Sequence, residues 1–271
     1  MLLCQLSDPH IRAPGQLAYR RVDTNAHFRR CITHVLSHEP RPDALVITGD
    51  LVDLGQPEEY HHLLSLLAPL TLPVYLIAGN HDDRGAMRTV LPPSMVGADP
   101  GFVQYVASVG EVRLVALDTL LPGEGGGTLC RVRLHWLENQ LEDLRRHPVI
   151  VMMHHPPFRT GIDYMDRVGL QTHHALEPIV RRHRNIERIL CGHLHRSITR
   201  RYGGTIAMTC PSPAHQVVLN LERGAPNEFA MEPPGYLLHH WTAEGGVVTH
   251  AVAIGDFAGP YPFYEEGHLV V

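Results

Sequence analysis

No stretch of this sequence approaches the roughly 20 consecutive apolar residues needed to cross a bilayer. Its first six residues form a short apolar run without the basic n-region of a secretory leader, and candidate chemistry already begins at Asp8. Cysteine is scarce: Cys4, Cys31, Cys130, Cys191 and Cys210 include no C-x-x-C pair, which argues against a disulfide framework or a cysteine-type zinc site and fits a reducing compartment. Excess positive charge is missing as well. A net charge of −5 and a pI near 6.5 leave no broad basic stripe for a phosphate polymer or an anionic membrane. Internal repeats and low-complexity tracts are absent. These absences predict a soluble cytoplasmic protein with neither a membrane nor a nucleic acid polymer among its partners.

What is present suits one large globular domain: 271 residues, 44% of them hydrophobic. Histidine is abundant, with 21 residues against 23 Lys and Arg together. Imidazole is the commonest metal ligand, but in a histidine-rich chain only position distinguishes a ligand from an ordinary surface or packing residue.

The hydrophobic pattern alternates between strands and helices over the first 190 or so residues. Strands are expected at Leu2–Leu6, Ala44–Thr48, Val74–Ala78, Glu111–Leu117, Val149–Met153 and Arg188–Cys191. Helices are expected from Asp23 or Thr24 to about His38, from Pro57 to about Ala68, over Arg133–Arg146, and from His173 to His183. Residues 84–102 read as irregular with one short helix, and residues 158–169 as a loop. Pro122–Thr128 is glycine-rich but lacks the Gly-Lys-Ser/Thr end of a phosphate-cradling loop, so it reads as a flexible linker. After His195 the texture changes to strands at Thr205–Cys210, Gln216–Leu219, Gly235–Trp241 and Val247–Ala253, then an aromatic, Pro-rich tail over Phe257–Tyr264. The expected fold is α/β, with residues 1–212 as core and 213–271 as a β-rich extension of the same domain.

Five of the strands run into polar residues of metal-binding type: Asp8-x-His10, Gly49-Asp50, Gly79-Asn80-His81, His154-His155 and Gly192-His193-x-His195. Ligands of open α/β sheets gather beyond the carboxyl ends of strands, and x-spaced pairs put two side chains on one side of an extended segment. The count of seven donors, Asp8, His10, Asp50, Asn80, His154, His193 and His195, is too large for one catalytic ion with an open position. Two ions sharing a carboxylate use them well, with Asp50 the natural bridge, and such pairs attack phosphate esters. An oxygen and nitrogen donor set without thiolate suits Mn, Fe, Zn or Co.

In their order, these five blocks resemble the calcineurin-like binuclear metallophosphoesterases, over residues 8–195. Arg41-Pro42-Asp43-Ala44, Pro57-Glu58-Glu59-Tyr60, Met153–Pro157, Ala214-His215-Gln216-Val217 and Phe257–Pro260 are similar to the bacterial group of glycerophosphodiesterases and class III cyclic-nucleotide phosphodiesterases. The resemblance implies a sandwich of two mixed β-sheets flanked by helices. It implies one metal on Asp8, His10, Asp50 and His195, and another on Asp50, Asn80, His154 and His193. His81 would stand beside the phosphate, stabilising charge or protonating the leaving alkoxide, with Asn80 and His215 on the substrate side. The implied reaction is hydrolysis of small phosphodiesters, glycerophosphodiester or 3′,5′-cyclic nucleotide, by in-line attack of a metal-bound hydroxide. A phosphomonoesterase or nuclease of the same superfamily is the alternative, and a metal-binding scaffold without activity lies further off. Oligomers of such proteins lead us to expect at least a homodimer here.

Other polar residues receive lesser roles. His155 is expected behind the ligands or in a structural role, and the carboxylates Asp53, Asp82 and Asp83 behind the ligands or in solvent. The doublets His61-His62, His173-His174 and His239-His240 are expected to be non-ligands, since adjacent side chains diverge. Arg196, Arg200 and Arg201 either attract an anionic diester or form a solvated face, and Asp163, Met165 and Asp166 are candidates for lining the pocket.

Overall fold

The computed structural model describes residues 1–270. In chain order the elements are β1 (Leu2–Leu6), α1 (Thr24–Leu36), β2 (Ala44–Ile47), α2 (Pro57–Leu67), β3 (Val74–Leu76), α3 (Arg84–Val90), α4 (Pro93–Val96), β4 (Tyr105–Val109), β5 (Val112–Leu117), α5 (Arg131–Asp143), β6 (Val149–Met153), α6 (Asp163–Arg167) and α7 (His173–Arg182). The remainder is β7 (Ile186–Cys191), β8 (Thr199–Tyr202), β9 (Thr205–Thr209), β10 (Gln216–Val217), β11 (Phe229–Ala230), β12 (Gly235–Thr242), β13 (Gly246–Ala253), β14 (Tyr264–Glu265) and β15 (His268–Leu269).

Two mixed sheets result, ordered β13-β12-β1-β2-β3 and β4-β5-β6-β7-β9-β8. Strands β1, β2 and β3 are mutually parallel, as are β5, β6, β7 and β9. The period-2 alternation of strand side chains sorts three apolar layers. Leu3, Ala44, Val46, Ile150 and Met152 point between the sheets. Cys4, Leu45 and Ile47 face outward onto Phe28, Ile32 and Val35 of α1 and Tyr60 and Leu63 of α2. Val149, Val151 and Met153 face Leu137 and Leu141 of α5 and Leu176, Ile179 and Val180 of α7. The molecule is therefore the expected α/β sandwich of two mixed sheets flanked by helices.

Local chemistry sets the entry of each helix. Asp23 caps α1 by accepting from Ala26 N at 2.9 Å, and Asp83 caps α3 by accepting from Ala86 N at 2.8 Å. Pro57 starts α2, whose Glu59 returns to the Gln56 backbone.

The structure departs from the sequence reading in several places. Residues 84–102 carry two helices, α3 and α4, rather than one, and the loop 158–169 contains α6. Strands β4 and β8 were not expected; both are edge strands, and β8, with three of its four side chains exposed, gives little apolar signal. Strands β12 and β13 add to the first sheet through antiparallel pairing of β12 with β1. Among the described residues, no helix is long and apolar enough to cross a membrane.

Candidate metal centre

Strands β1, β2, β3, β6 and β7 end at one edge of the sandwich, and the polar blocks that follow them meet there. Backbone bonds stitch these loops: Asp8 N donates to Gly49 O at 3.1 Å, His10 N to Asp50 O at 3.0 Å, and Gly192 N to His154 O at 2.9 Å. The Asp8 carboxylate itself accepts from His193 N at 2.9 and 3.1 Å, tying the end of β1 to the end of β7. Five of the seven expected ligands, Asp8, His10, Asp50, His193 and His195, have positive φ between 44° and 70°. For residues with a Cβ this costs on the order of 1–2 kcal/mol each, and such strain persists where a site over-determines it.

The glycines of these loops make room for the site. A Cβ on Gly79 would fall 2.2 Å from Asp50 Oδ1, and one on Gly49 would fall 2.4 Å from His154 Nδ1.

The seven donors form two sets that share Asp50. In the first, His10 Nε2 lies 3.2 Å from His195 Nε2 and 3.6 Å from Asp50 Oδ2, and Asp8 Oδ1 lies 3.6 Å from His195 Nε2. In the second, Asn80 Oδ1 lies 3.0 Å from both His154 Nε2 and His193 Nδ1, and His154 Nε2 is 3.4 Å from Asp50 Oδ2. Donors sharing one ion at about 2.1 Å stand roughly 3.0–3.4 Å apart in tetrahedral or octahedral geometry, so both sets fit a divalent cation. The fit extends to the far side of three rings. His10 Nδ1 faces Asp53 Oδ1 at 3.2 Å, His154 Nδ1 donates to Thr48 O at 2.8 Å, and His195 Nδ1 donates to His215 O at 3.0 Å. These acceptors hold a proton on Nδ1 and turn the Nε2 lone pair toward the centre.

Electrostatics show what charge the centre attracts. Burial raises the Asp8 carboxyl to about 6, with Asp50 adding to the rise against the pull of His154. Burial also penalises charge on Asp50, but His154, His81 and His10 around it hold its carboxyl well below the usual range. His154 resists burial through Asp50 and Asp8 and is raised to about 9. His195 is lowered to about 3 by burial and by His10, and His193 is lowered well below the usual value by burial and by His155 and His154. Two buried carboxylates among imidazoles thus draw in positive charge, the role of cations in such a site.

His81 is half-buried; its backbone N donates to Asp50 Oδ1 at 2.9 Å and its Nδ1 to Asp53 O at 2.8 Å. His215 is buried beside the rings of His195 and His10, under Tyr19 and Phe229. His155 sits behind the ligands: its Nδ1 is 2.9 Å from Thr119 Oγ1, and its Nε2 donates to Gly125 O at 3.2 Å. This corrects the reading of residues 122–128 as a linker. Gly125 lines the cleft, Gly127 N donates to Gly169 O at 3.1 Å, and a Gly127 Cβ would lie 2.4 Å from His155 Nδ1. The glycines here serve close packing.

A cleft of about 420 Å³ opens over the donors. One side is Tyr19, His215, Asn227, Glu228 and Phe229; the other is Gly125, Tyr164, Met165 and Val168. Of the loop candidates, Met165 reaches the cleft, whereas Asp163 pairs with Arg167 and Gly224 N and Asp166 caps the turn at Thr160 and Gly161. Arg196 is engaged by Val217 O and Glu232, and Arg200 and Arg201 are exposed on β8. Among the described residues no arginine lines the cleft. Asp53 orients His10, and Asp82 accepts from Gly79 N, Leu51 N and Tyr60 Oη, while Asp83 caps α3. Sequence reasoning missed Tyr19, Tyr164, Asn227, Glu228 and Phe229. They carry no spacing signal, because they come from loops and from the short elements α6 and β11, which only the tertiary fold brings to the cleft.

Comparison with known proteins places this architecture. The chain is 38% identical, over 100% of both chains, to a probable glycerophosphodiester phosphodiesterase GpdQ of Arcobacter nitrofigilis. It is 31% identical to a 3′,5′-cyclic adenosine monophosphate phosphodiesterase CpdA of Pseudomonas aeruginosa, over 80% of this chain and 77% of that one. A dimetal phosphatase from Danio rerio shares the fold, with a TM-score of 0.69 at 13% identity over 94% of this chain and 99% of that one. The family model of the calcineurin-like phosphoesterases matches residues 1–197, and the chain belongs to that family.

Proposed function

We propose that the protein is a binuclear-metal phosphodiesterase that hydrolyses small phosphodiesters, with glycerophosphodiesters and 3′,5′-cyclic nucleotides as the substrate classes. The observation that carries the reading is the pair of donor sets sharing Asp50 at the floor of the cleft. Asp8, His10, Asp50 and His195 would hold one ion, and Asp50, Asn80, His154 and His193 the other. Mn, Fe, Zn and Co all suit this donor set. When bound, two such cations supply Lewis acidity toward water and toward the phosphate oxygens.

The chain's own groups do the rest. Asp53 orients two of them: its carboxylate fixes His10, and its carbonyl takes the Nδ1 proton of His81. The remaining His81 nitrogen, Nε2, is the group that stabilises the phosphate and delivers a proton to the leaving alkoxide. Asn80, neutral among carboxylates and imidazoles, leaves its ion more electrophilic than a carboxylate would. Burial, with His195 and His10 beside it, lowers His215 to about 2, so it meets substrate as a neutral imidazole. Tyr19, Phe229 and Val217 exclude water from the other half of the cleft. A volume of about 420 Å³ and the absence of lining arginines suit a small diester rather than a nuclease substrate.

Residues 1–212 form the catalytic core in this reading, and 213–271 extend the same domain. Exposed Phe257, Tyr261 and Phe263 in the tail support a self-associating surface and at least a homodimer. Five free cysteines, four of them buried, fit a cytoplasmic protein. The test is a panel of glycerophosphoethanolamine, cAMP and bis(p-nitrophenyl) phosphate after Mn²⁺ reconstitution, compared by kcat/KM. Diester hydrolysis that chelation abolishes is expected; hydrolysis of monoesters alone overturns the reading.

A further inference from the structure

Inward-facing positions between the two sheets are apolar, as at Leu3, Val46, Ile150, Met152, Leu190 and Leu237. Gln5 and His239 break the rule, and both are fully buried. The Gln5 amide ties β1 to three other strands. Its Nε2 donates to Thr48 Oγ1 just past β2 and to Cys191 O at the end of β7, both at 3.0 Å. Its Oε1 accepts from His239 Nε2 of β12 at 3.0 Å. Because Cys191 O can only accept, the amide orientation is fixed, and so is the tautomer: His239 carries its proton on Nε2 and accepts at Nδ1 from Thr249 Oγ1 at 2.9 Å.

The tie lies directly beneath the metal centre. Strands β1, β2 and β7 deliver Asp8 and His10, Asp50, and His193 and His195. Thr48 Oγ1 passes its own proton to Ser7 Oγ at 2.8 Å, while Thr48 O takes the Nδ1 proton of His154 at 2.8 Å. Gln5 also spans the sheets, so it fixes how ligands on the first sheet sit against ligands on the second.

We propose that Gln5 and His239 are positioning residues that set the spacing of the two donor sets and thereby the affinity for the metal pair. A buried polar pair in an apolar layer is costly unless fully satisfied, and this one is satisfied on each of its four side-chain hydrogen-bonding atoms. The inference rests on the ligand assignment above. Groups behind metal ligands typically change affinity about 10–100-fold when removed, and Gln5 acts through one intervening residue, which places it near the lower end.

The experiment separates positioning from stabilisation. Gln5→Met keeps the length but strands the His239 proton; Gln5→Met/His239→Leu removes both ends and leaves half-exposed Thr249 to solvent. Metal-free stability is read by urea unfolding, and Mn²⁺ affinity by calorimetry. The single variant should lose metal-free stability and the double variant regain it, since deleting both partners of a buried bond is nearly neutral. Both should bind Mn²⁺ about 10-fold more weakly, with kcat recovered at saturating Mn²⁺. His239→Gln, whose amide still donates to Gln5, should restore wild-type affinity. A double variant with wild-type Mn²⁺ affinity overturns the proposal, as does a double variant that fails to fold alongside His239→Leu with wild-type affinity. Asp50→Ala, titrated in parallel, distinguishes the deeper failure: if it binds Mn²⁺ as the wild type does, the ligand assignment falls and the positioning role with it.

Discussion

Asp50 and His81 are joined by a 2.9 Å hydrogen bond from the His81 backbone to Asp50 Oδ1, while Asp50 Oδ2 faces His10 and His154. One carboxylate therefore spans both donor sets and also fixes the loop that presents His81. The two side chains should fail differently. Asp50→Ala should lose both ions and all diesterase activity. His81→Ala keeps every donor, so it should retain two ions per chain and lose turnover, by about 10²–10⁴-fold for a proton-transfer group. Metal content by elemental analysis, set beside kcat, reads the difference. Asn80→Ala falls between, with one set depleted.

Two carboxylates buried at the floor of one cleft should make metal removal visible as lost stability. Asp8 and Asp50 are 0% and 2% exposed, and the Asp50 charge adds to the rise that burial imposes on Asp8. Mn²⁺ at about 100 times its dissociation constant stabilises the fold by about 2.7 kcal/mol, which is several degrees in Tm for a chain of this size. Differential scanning calorimetry with and without chelator should show the shift, and Asp50→Ala should show almost none.

Gly192 leaves no space for a side chain. A Cβ there would lie 2.1 Å from Ser7 Oγ, 2.6 Å from Thr48 O and 2.8 Å from Asp8 Oδ2. Gly192→Ala must push β7 away from the first sheet, at an expected cost of about 3 kcal/mol with loss of metal binding. Gly110→Ala is the control. Its φ of +58° is strained but the space around it is open, so it should cost about 1 kcal/mol and leave metal binding intact. Urea midpoints and calorimetric titration check both.

The legible part of this molecule is the part written locally. Each ligand block follows a short Val/Ile/Leu run and often a glycine, so strand ends and donors read directly off the chain. Strand β8, Thr-Arg-Arg-Tyr, has no such run, because an edge strand need bury little. Nothing in the sequence announces positive φ at Asp8, Asp50 or His195, since these are not glycines. The Gln5–His239 contact joins residues 234 apart and depends on β12 pairing with β1, a choice set by tertiary packing. Tyr19 and Phe229 likewise pack together on one wall of the cleft although far apart in sequence.

Asp118 is a further element that only the structure reveals. It is fully buried at the end of β5 and binds Arg84 in two-pronged fashion at 2.7 and 2.8 Å, while its backbone carbonyl accepts from Arg133 at 3.0 Å. Arg84 follows His81 by three residues, so the pair clamps the second sheet to the His81 loop. Asp118→Asn leaves a buried guanidinium without its counter-charge and should cost about 3–5 kcal/mol. Urea unfolding should show that loss, and a variant within about 1 kcal/mol of wild type would show that solvent reaching Arg84 compensates.

His239 gives the metal-free protein a defined acid limb. Burial lowers its ring to about 3, whereas an unfolded histidine titrates near 6.5. Above about pH 6.5 it is neutral in both states and its contribution is fully present. Below that the unfolded chain gains a proton that the folded ring refuses, so stability falls by about 1.4 kcal/mol per pH unit until the folded ring titrates near pH 3. His155, His195 and His215 act in the same direction, and Asp8, raised to about 6, acts in the opposite one. These groups are shared by wild type and Gln5→Met/His239→Leu, so the difference between the two proteins isolates one proton. Urea midpoints in chelator between pH 6 and pH 4 should fall less steeply in the double variant, by about 1.4 kcal/mol per pH unit. Parallel acid limbs would mean that the folded protein admits a proton to His239, with the Thr249 hydroxyl turning to accept from Nδ1 while Nε2 still donates to Gln5 Oε1.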